Sequence, residues 1–204
     1  MFAPFILMST ISAVYSSMKE LLPEYRFAAY YANPKQIESI FKDNDIRIVI
    51  EVGSWIGGGS TRHMGELLKQ HGGTLYAVDT WLGSSTQQVG QVHYQPILAR
   101  VYEQFLSNMV HWNLTDIVIP CKMTSLEAAK ELGHVQPDLI YIDAEHTTEA
   151  VYEDLTAWFP YVKNHGIFCG DDWSWPSVQS AVRRFAEENN LKIEASGNFW
   201  RLVF

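Results

Sequence analysis

The chain has 204 residues, of which 47% are hydrophobic, 13% aromatic and 19% charged. That is enough to bury one sizeable core, so intrinsic disorder is excluded and a single domain, 1–204, is expected. With 15 basic against 23 acidic residues the formal charge is −8, a poor match to a phosphate backbone or an anionic membrane. Two cysteines, Cys121 and Cys169, make no disulfide framework, and a cytoplasmic protein is the default reading.

Residues 1–44 read as an N-terminal helical extension to a core spanning 45–204. The run from Met1 to Tyr15 is apolar, yet no Lys or Arg precedes Lys19, and Pro4, Ser9, Thr10 and Ser12 interrupt it. It is therefore expected to pack on the domain or on a second copy in a homodimer, rather than to lead or span a membrane. Short β-branched runs then alternate with stretches of helical period. Strands are expected at 47–52, 74–79, 116–120, 138–143 and 165–170. Helices are expected at 61–70, about 96–111, 125–132, 147–162 and from Pro176 to about Glu188. Such alternation means a parallel sheet covered on both faces. The end differs, because 191–196 and 199–204 are separated only by Gly197 and Asn198, a spacing that forces an antiparallel hairpin. The fold expected is α/β: a Rossmann-like, doubly wound sheet, mostly parallel, closed by a C-terminal antiparallel β-hairpin.

Ligands of such sheets sit beyond the carboxyl ends of the strands. The first strand leads into Glu51-Val-Gly-Ser-Trp-Ile-Gly-Gly-Gly-Ser60, a glycine-rich turn whose backbone N–H groups can approach a ligand. Trp55 stands where a dinucleotide G-x-G-x-x-G turn has its second glycine, which weakens a nicotinamide oxidoreductase reading. Glu51 in a ligand pocket would repel a pyrophosphate and suit a sulfonium or ammonium group. The second strand ends in Asp79, 26 residues after Gly53, near the spacing expected of an acid that grips ribose hydroxyls. Thr80 and Trp81 follow it, and Trp81 offers an apolar plane beside a nucleoside or simply packs.

Asp143 ends the fourth strand, and Asp171 with Asp172 ends the fifth. Neighbouring strands lie about 4.8 Å apart, so three carboxylates are expected to converge. They must then be protonated, splayed into water or neutralised by a cation, and an all-oxygen set suits Mg²⁺ or Mn²⁺. His146, three residues beyond Asp143, is placed to serve as a general base beside them. The bland readings are a solvated acidic rim and a capping histidine.

These motifs resemble the Mg²⁺-dependent small-molecule O-methyltransferases of the class I S-adenosylmethionine-dependent group, in their catechol-type and macrolide-sugar ("hydroxylase-like") branches, over residues 45–204. In the catechol-type branch two metal acids stand 28 residues apart, as Asp143 and Asp171 do, and the third ligand follows at once, as Asp172 does. The macrolide-sugar branch carries a histidine base at the place of His146. Glu51, Gly53, Ser54, Trp55 and Gly57 match the cofactor loop, Asp79 the ribose acid, and Thr124 with Ser125 a small polar segment near the adenine. Val78-Asp-Thr-Trp-Leu-Gly83 is typical of the hydroxylase-like group. Gly59 stands where a serine usually holds the methionine carboxylate, which leaves Ser60 to substitute. Ala144 replaces a common glycine. The resemblance implies methyl transfer from S-adenosylmethionine to a hydroxyl of a small molecule (a sugar, polyol or catechol-like diol), assisted by the metal. Residues 1–44 and the 83–95 loop would shape the acceptor site. A cofactor-binding scaffold without catalysis is the other class of reading, and heat-stabilisation by S-adenosylhomocysteine without Mg²⁺ binding would favour it.

Overall fold

Val49 and Ile50 are adjacent in sequence and both fully buried, yet they enter different cores. Side chains alternate across a strand, so a strand buried on both faces needs apolar residues at successive positions. The computed structural model describes Tyr15, residues 22–24, Arg26, and residues 31–84, 99–162 and 166–204. Within these, β1 (Ile48–Val52), β2 (Thr74–Asp79), β3 (Val118–Lys122), β4 (Leu139–Ile142), β5 (Ile167–Gly170), β6 (Lys192–Ser196) and β7 (Phe199–Val203) form one sheet of order β3-β2-β1-β4-β5-β7-β6. The first five strands run parallel, and β7 is antiparallel to both β5 and β6. This is the Rossmann-like, mostly parallel sheet with a C-terminal antiparallel hairpin expected from the alternating pattern.

Helices α1 (Pro34–Asp43), α2 (Ser60–His71) and α3 (Val101–His111) cover one face; α4 (Ser125–Leu132), α5 (Thr148–Trp158) and α6 (Pro176–Glu188) cover the other. On the first face Val49, Leu75, Leu139 and Cys169 meet Ile37, Met64 and Phe105. On the second, Ile50, Ile140, Phe168 and Trp200 meet Ala128, Leu155 and Val182. The chain order reverses between β1 and β4, and the crevice above that switch point is where such sheets take ligands.

Several expected boundaries move. β3 starts two residues later than expected, because the N–H groups of Ile117 and Val118 both turn back to the Leu114 carbonyl. Pro120 is tolerated in β3 because that strand is at the sheet edge, paired only to β2. The helix expected at 147–162 stops at Trp158 and tightens into a 3₁₀ turn, Phe159–Tyr161, at Pro160. His165, most of the 83–95 loop, the first turn of the expected 96–111 helix and all of 1–15 but Tyr15 lie outside the described residues. Tyr15 is buried and its hydroxyl donates to the Val118 carbonyl at 3.2 Å. The hairpin turn contains Gly197 at φ +61°, a conformation that a Cβ would strain. Among the described residues, no helix is long and apolar enough to cross a membrane.

Candidate active site

Above the switch point lies a cavity of about 900 Å³, reached by the ends of β1, β2, β4 and β5 and by the turn into α4. Its walls include Gly53, Ser54, Trp55, Ser60, Asp79, Thr80, Thr124, Ser125, Asp143, His146, Asp171 and Asp172. Of the site residues expected from the sequence, Glu51, Gly57 and Trp81 are not part of that wall.

Gly53 shows why the loop needs glycine. Its φ is +92°, and a Cβ there would lie 2.0 Å from the Asp143 carbonyl oxygen. Gly53 N–H donates to the Val78 carbonyl at 2.8 Å, so the loop passes directly over the strand ends. Gly57, at φ +71°, would drive a Cβ into Met109. Trp55, Trp81 and Asp172 also adopt positive φ, of 47°, 54° and 59°. For residues with side chains this is strained backbone, and two of the three, Trp55 and Asp172, line the cavity.

Glu51 follows the parity of Val49, so it points to the α1–α3 face rather than into the cavity. It is fully buried beneath the loop and accepts hydrogen bonds from Ser54 Oγ (2.8 Å), Ser60 Oγ (2.5 Å) and Thr61 Oγ1 (2.5 Å). The expected carboxylate for a cationic ligand is thus a clamp joining β1, the loop and the start of α2, with Ser60 as one of its donors. Burial pushes its pKa up to about 7 from an ordinary 4.5, with the three hydroxyls working the other way. A proton held more tightly in the folded than in the unfolded state stabilises at low pH. This contribution is complete below about pH 4.5 and is lost as the pH rises through about 7. Urea unfolding of wild type and Glu51→Gln should therefore differ in pH slope across that window, by up to about 3 kcal/mol. Parallel curves would contradict it.

Asp79 is the acid the loop closes on. Its Oδ2 accepts from the N–H groups of Ser54 (3.0 Å) and Trp55 (2.8 Å), and its Oδ1 from Trp81 N–H (2.7 Å). Burial raises its pKa and these N–H groups oppose the rise. Trp81 itself is 3% exposed, packed against Tyr102 and Phe105 with its indole N–H on the Trp55 carbonyl at 2.6 Å. It is a packing residue that ties loop to core, not a plane open to the cavity.

The acids at the other end are held as follows. Asp143, His146 and Asp172 each offer a ligand atom, all within 4.8 Å of one another. His146 Nε2 lies 2.7 Å from Asp172 Oδ2, and its Nδ1 is buried without a hydrogen-bond partner. The hydrogen bond to Asp172 raises the His146 pKa, with burial opposing. Trp175 stacks on the imidazole at 4.9 Å between ring centres, and Ser177 Oγ donates to the His146 carbonyl at 2.5 Å. Asp143 has its pKa driven well above the carboxylate range, first by burial and then by Asp171 and Asp172.

Asp171 departs from the expected trio. It keeps the parity of Tyr141 and Cys169, its carboxylate takes the Asp172 N–H at 2.7 Å, and burial raises its pKa while that N–H, Asn33 and Tyr141 work the other way. Asn33, which precedes α1, also donates to Tyr141 Oη at 3.1 Å. Gly170 lets this turn form, because a Cβ there would meet the Ile142 carbonyl and Trp200, whose indole N–H holds the Asp171 carbonyl at 2.8 Å.

At the far end, Thr124 caps α4. Its hydroxyl donates to Glu127 Oε2 at 2.7 Å and accepts from Glu127 N–H. Ser125 accepts from Trp158 Nε1 at 2.9 Å, and its hydroxyl opposes the rise that burial causes in the Asp154 pKa. Asp154 is a cavity residue that motif spacing misses. Its signal in the sequence is a carboxylate in the apolar stripe Val151, Asp154, Leu155, Trp158 of α5, where the period calls for a core residue.

This arrangement has counterparts among known proteins. Residues 50–173, more than half of the chain, match the family model described as a methyltransferase domain. Among solved structures, an O-methyltransferase from Bacillus cereus in complex with SAH is 17% identical, with 97% of this chain and 90% of that one covered and a TM-score of 0.58. The O-methyltransferase TomG from Streptomyces achromogenes, involved in tomaymycin synthesis and in complex with SAM, is 16% identical over 94% and 87%, with a TM-score of 0.60. The O-methyltransferase NovP is 17% identical over 98% and 99%, also at 0.60. No curated protein sequence matches. With the sheet order, the switch-point crevice and the matched span in agreement, the chain belongs to the methyltransferase domain family.

Proposed function

We propose that this protein transfers the methyl group of S-adenosylmethionine to a hydroxyl oxygen of a small molecule. The observation that carries the reading is the cavity itself. The turn into α4 walls one end, Asp79 lines the middle, and the other end gathers Asp143, His146 and Asp172. SAM- and SAH-bound O-methyltransferases among the structural neighbours support the same donor.

In this reading Gly53, Ser54 and Trp55 form the strained wall over which the methionine part lies. Asp79 faces the ribose hydroxyls, with its carboxylate oriented by three backbone N–H groups. The sulfonium is an intrinsically good methyl donor, so the protein's task is alignment and activation of the acceptor oxygen. His146, held against Asp172 through Nε2 at this end of the cavity, is the imidazole assigned to take the acceptor's proton. Ser177 holds the His146 backbone carbonyl and Trp175 stacks on the imidazole.

The residues also fit a divalent cation. Asp143 and Asp172, with Asp171 adjacent, hold more negative charge than such a recess accepts unpaired, and a set of carboxylate oxygens suits Mg²⁺ or Mn²⁺. When bound, the cation would lower the pKa of the acceptor hydroxyl. A sugar, polyol or catechol-like diol suits it as acceptor. The short His146–Asp172 contact favours a second reading, in which the dyad alone serves as base. Asp143→Ala separates the two. Wild-type turnover should fall after EDTA treatment and recover with Mn²⁺, while Asp143→Ala should show no metal response. Turnover indifferent to chelator would leave the dyad acting without a metal.

A further inference from the structure

We propose that Asp154 sets the base specificity of the cofactor cavity, its carboxylate accepting a hydrogen bond from the exocyclic amine of an adenine ring. The inference rests on the cofactor reading above and goes further, to the residue that distinguishes one purine from another.

The two hydroxyls that the sequence offers at this end are already engaged. Thr124 spends its proton on Glu127 Oε2, and Ser125 accepts from the Trp158 indole and sits close enough to the Asp154 carboxylate to favour its ionised form. A hydroxyl has one proton to give, so Thr124 has none left for a base, and the Asp154 carboxylate competes for that of Ser125. Met123, Leu126 and Ala150 add apolar wall. Asp154 is 6% exposed yet lines the cavity, so the acceptor it offers there is a desolvated one. Glu153 also lines the cavity but is exposed, and water competes for it.

The chemistry then favours one partner class. Burial lifts the Asp154 pKa to about 6, so at pH 7.5 it is mainly ionised and can only accept. An adenine 6-amino group donates to it. A 6-oxo purine would instead set a carbonyl oxygen against the carboxylate, and an unpaired buried polar group is costly. A merely structural link from α5 to Ser125 would not need the charge, because an asparagine carbonyl could take the same Ser125 proton.

The test is calorimetric binding of S-adenosylhomocysteine and its 6-oxo analogue, S-inosylhomocysteine, to the full chain at pH 7.5. Wild type should prefer the amino compound by about 10²-fold or more, as sites built to hydrogen-bond a substrate group do. In Asp154→Asn the carbonyl can hold Ser125 while the amide donates into the cavity, so the preference should vanish or invert. Asp154→Ala removes the acceptor without adding a donor and should bring the two ligands within about threefold, chiefly by weakening the amino compound. Circular dichroism establishes that each variant is folded. Asp154→Asn or Asp154→Ala retaining the wild-type ratio would overturn the inference, as would wild type binding both ligands equally. Wild type binding neither would instead overturn the cofactor reading beneath it.

Discussion

His146→Ala should lose about 10²–10⁴-fold in turnover while binding S-adenosylhomocysteine as tightly as wild type does. The two effects separate because the imidazole stands at the acid end of the cavity, among Asp143, Asp172 and Trp175, whereas the nucleoside part is assigned to Asp79 and the turn into α4. Asp172→Asn should lose less, because an amide can still accept from Nε2–H through its oxygen but no longer stabilises the imidazolium. Single-turnover methyl transfer, with calorimetry for affinity, measures both. Undiminished turnover in His146→Ala would remove the base assignment, and lost affinity would move the cofactor towards the histidine.

The second large effect is structural. Gly53→Ala should destabilise the fold by more than about 4 kcal/mol and abolish cofactor binding. The added Cβ would have to sit 2.0 Å from the Asp143 carbonyl oxygen and 2.6 Å from Ala144 Cα, and both are backbone atoms of the strand end that presents the acids. The positive φ adds its own strain. Relief would require β1 and β4 to part at the switch point, where Asp143 N–H is bonded to the Val52 carbonyl at 2.8 Å. Urea unfolding reports the first effect and calorimetry the second. An unchanged midpoint would contradict the close approach of this loop to the end of β4. Gly197→Ala is the comparison, since nothing lies within 4 Å of a Cβ there and only the φ of +61° opposes it.

Much of the architecture is legible in the amino-acid order, because burial on both faces writes an unbroken apolar run into β4 and one broken only by Glu51 into β1, and because a two-residue gap before Phe199 allows only a hairpin. The acids are legible as strand-end residues for the same reason. Their aim is less so. Glu51 and Asp171 occupy positions whose parity matches Val49 and Cys169, so both turn to the face covered by α1–α3, where Ser60, Thr61, Asn33 and Tyr141 meet them. Parity can be read from the sequence, but those partners come from distant segments. Thr124 and Ser125 do line the cavity as expected, yet the Thr124 proton is committed to Glu127 and the Ser125 oxygen accepts from Trp158. Spacing finds a hydroxyl; only packing says which lone pairs remain. His146 likewise joins Asp143 and Asp172 because Asp172 turns at φ +59°, a local conformation that no periodicity announces.

One orientation of the cofactor is central: sulfur beside Asp143, His146 and Asp172, base beside Asp154. Anomalous diffraction from crystals grown with S-adenosylhomocysteine and Mn²⁺ reads both ends at once, since sulfur and manganese scatter anomalously. A manganese peak between the Asp143 and Asp172 carboxylates, with the ligand sulfur on that side of Asp79, is the result predicted. A sulfur peak beside Met123 and Ser125, or a bound ligand with no metal between those two carboxylates, would contradict it.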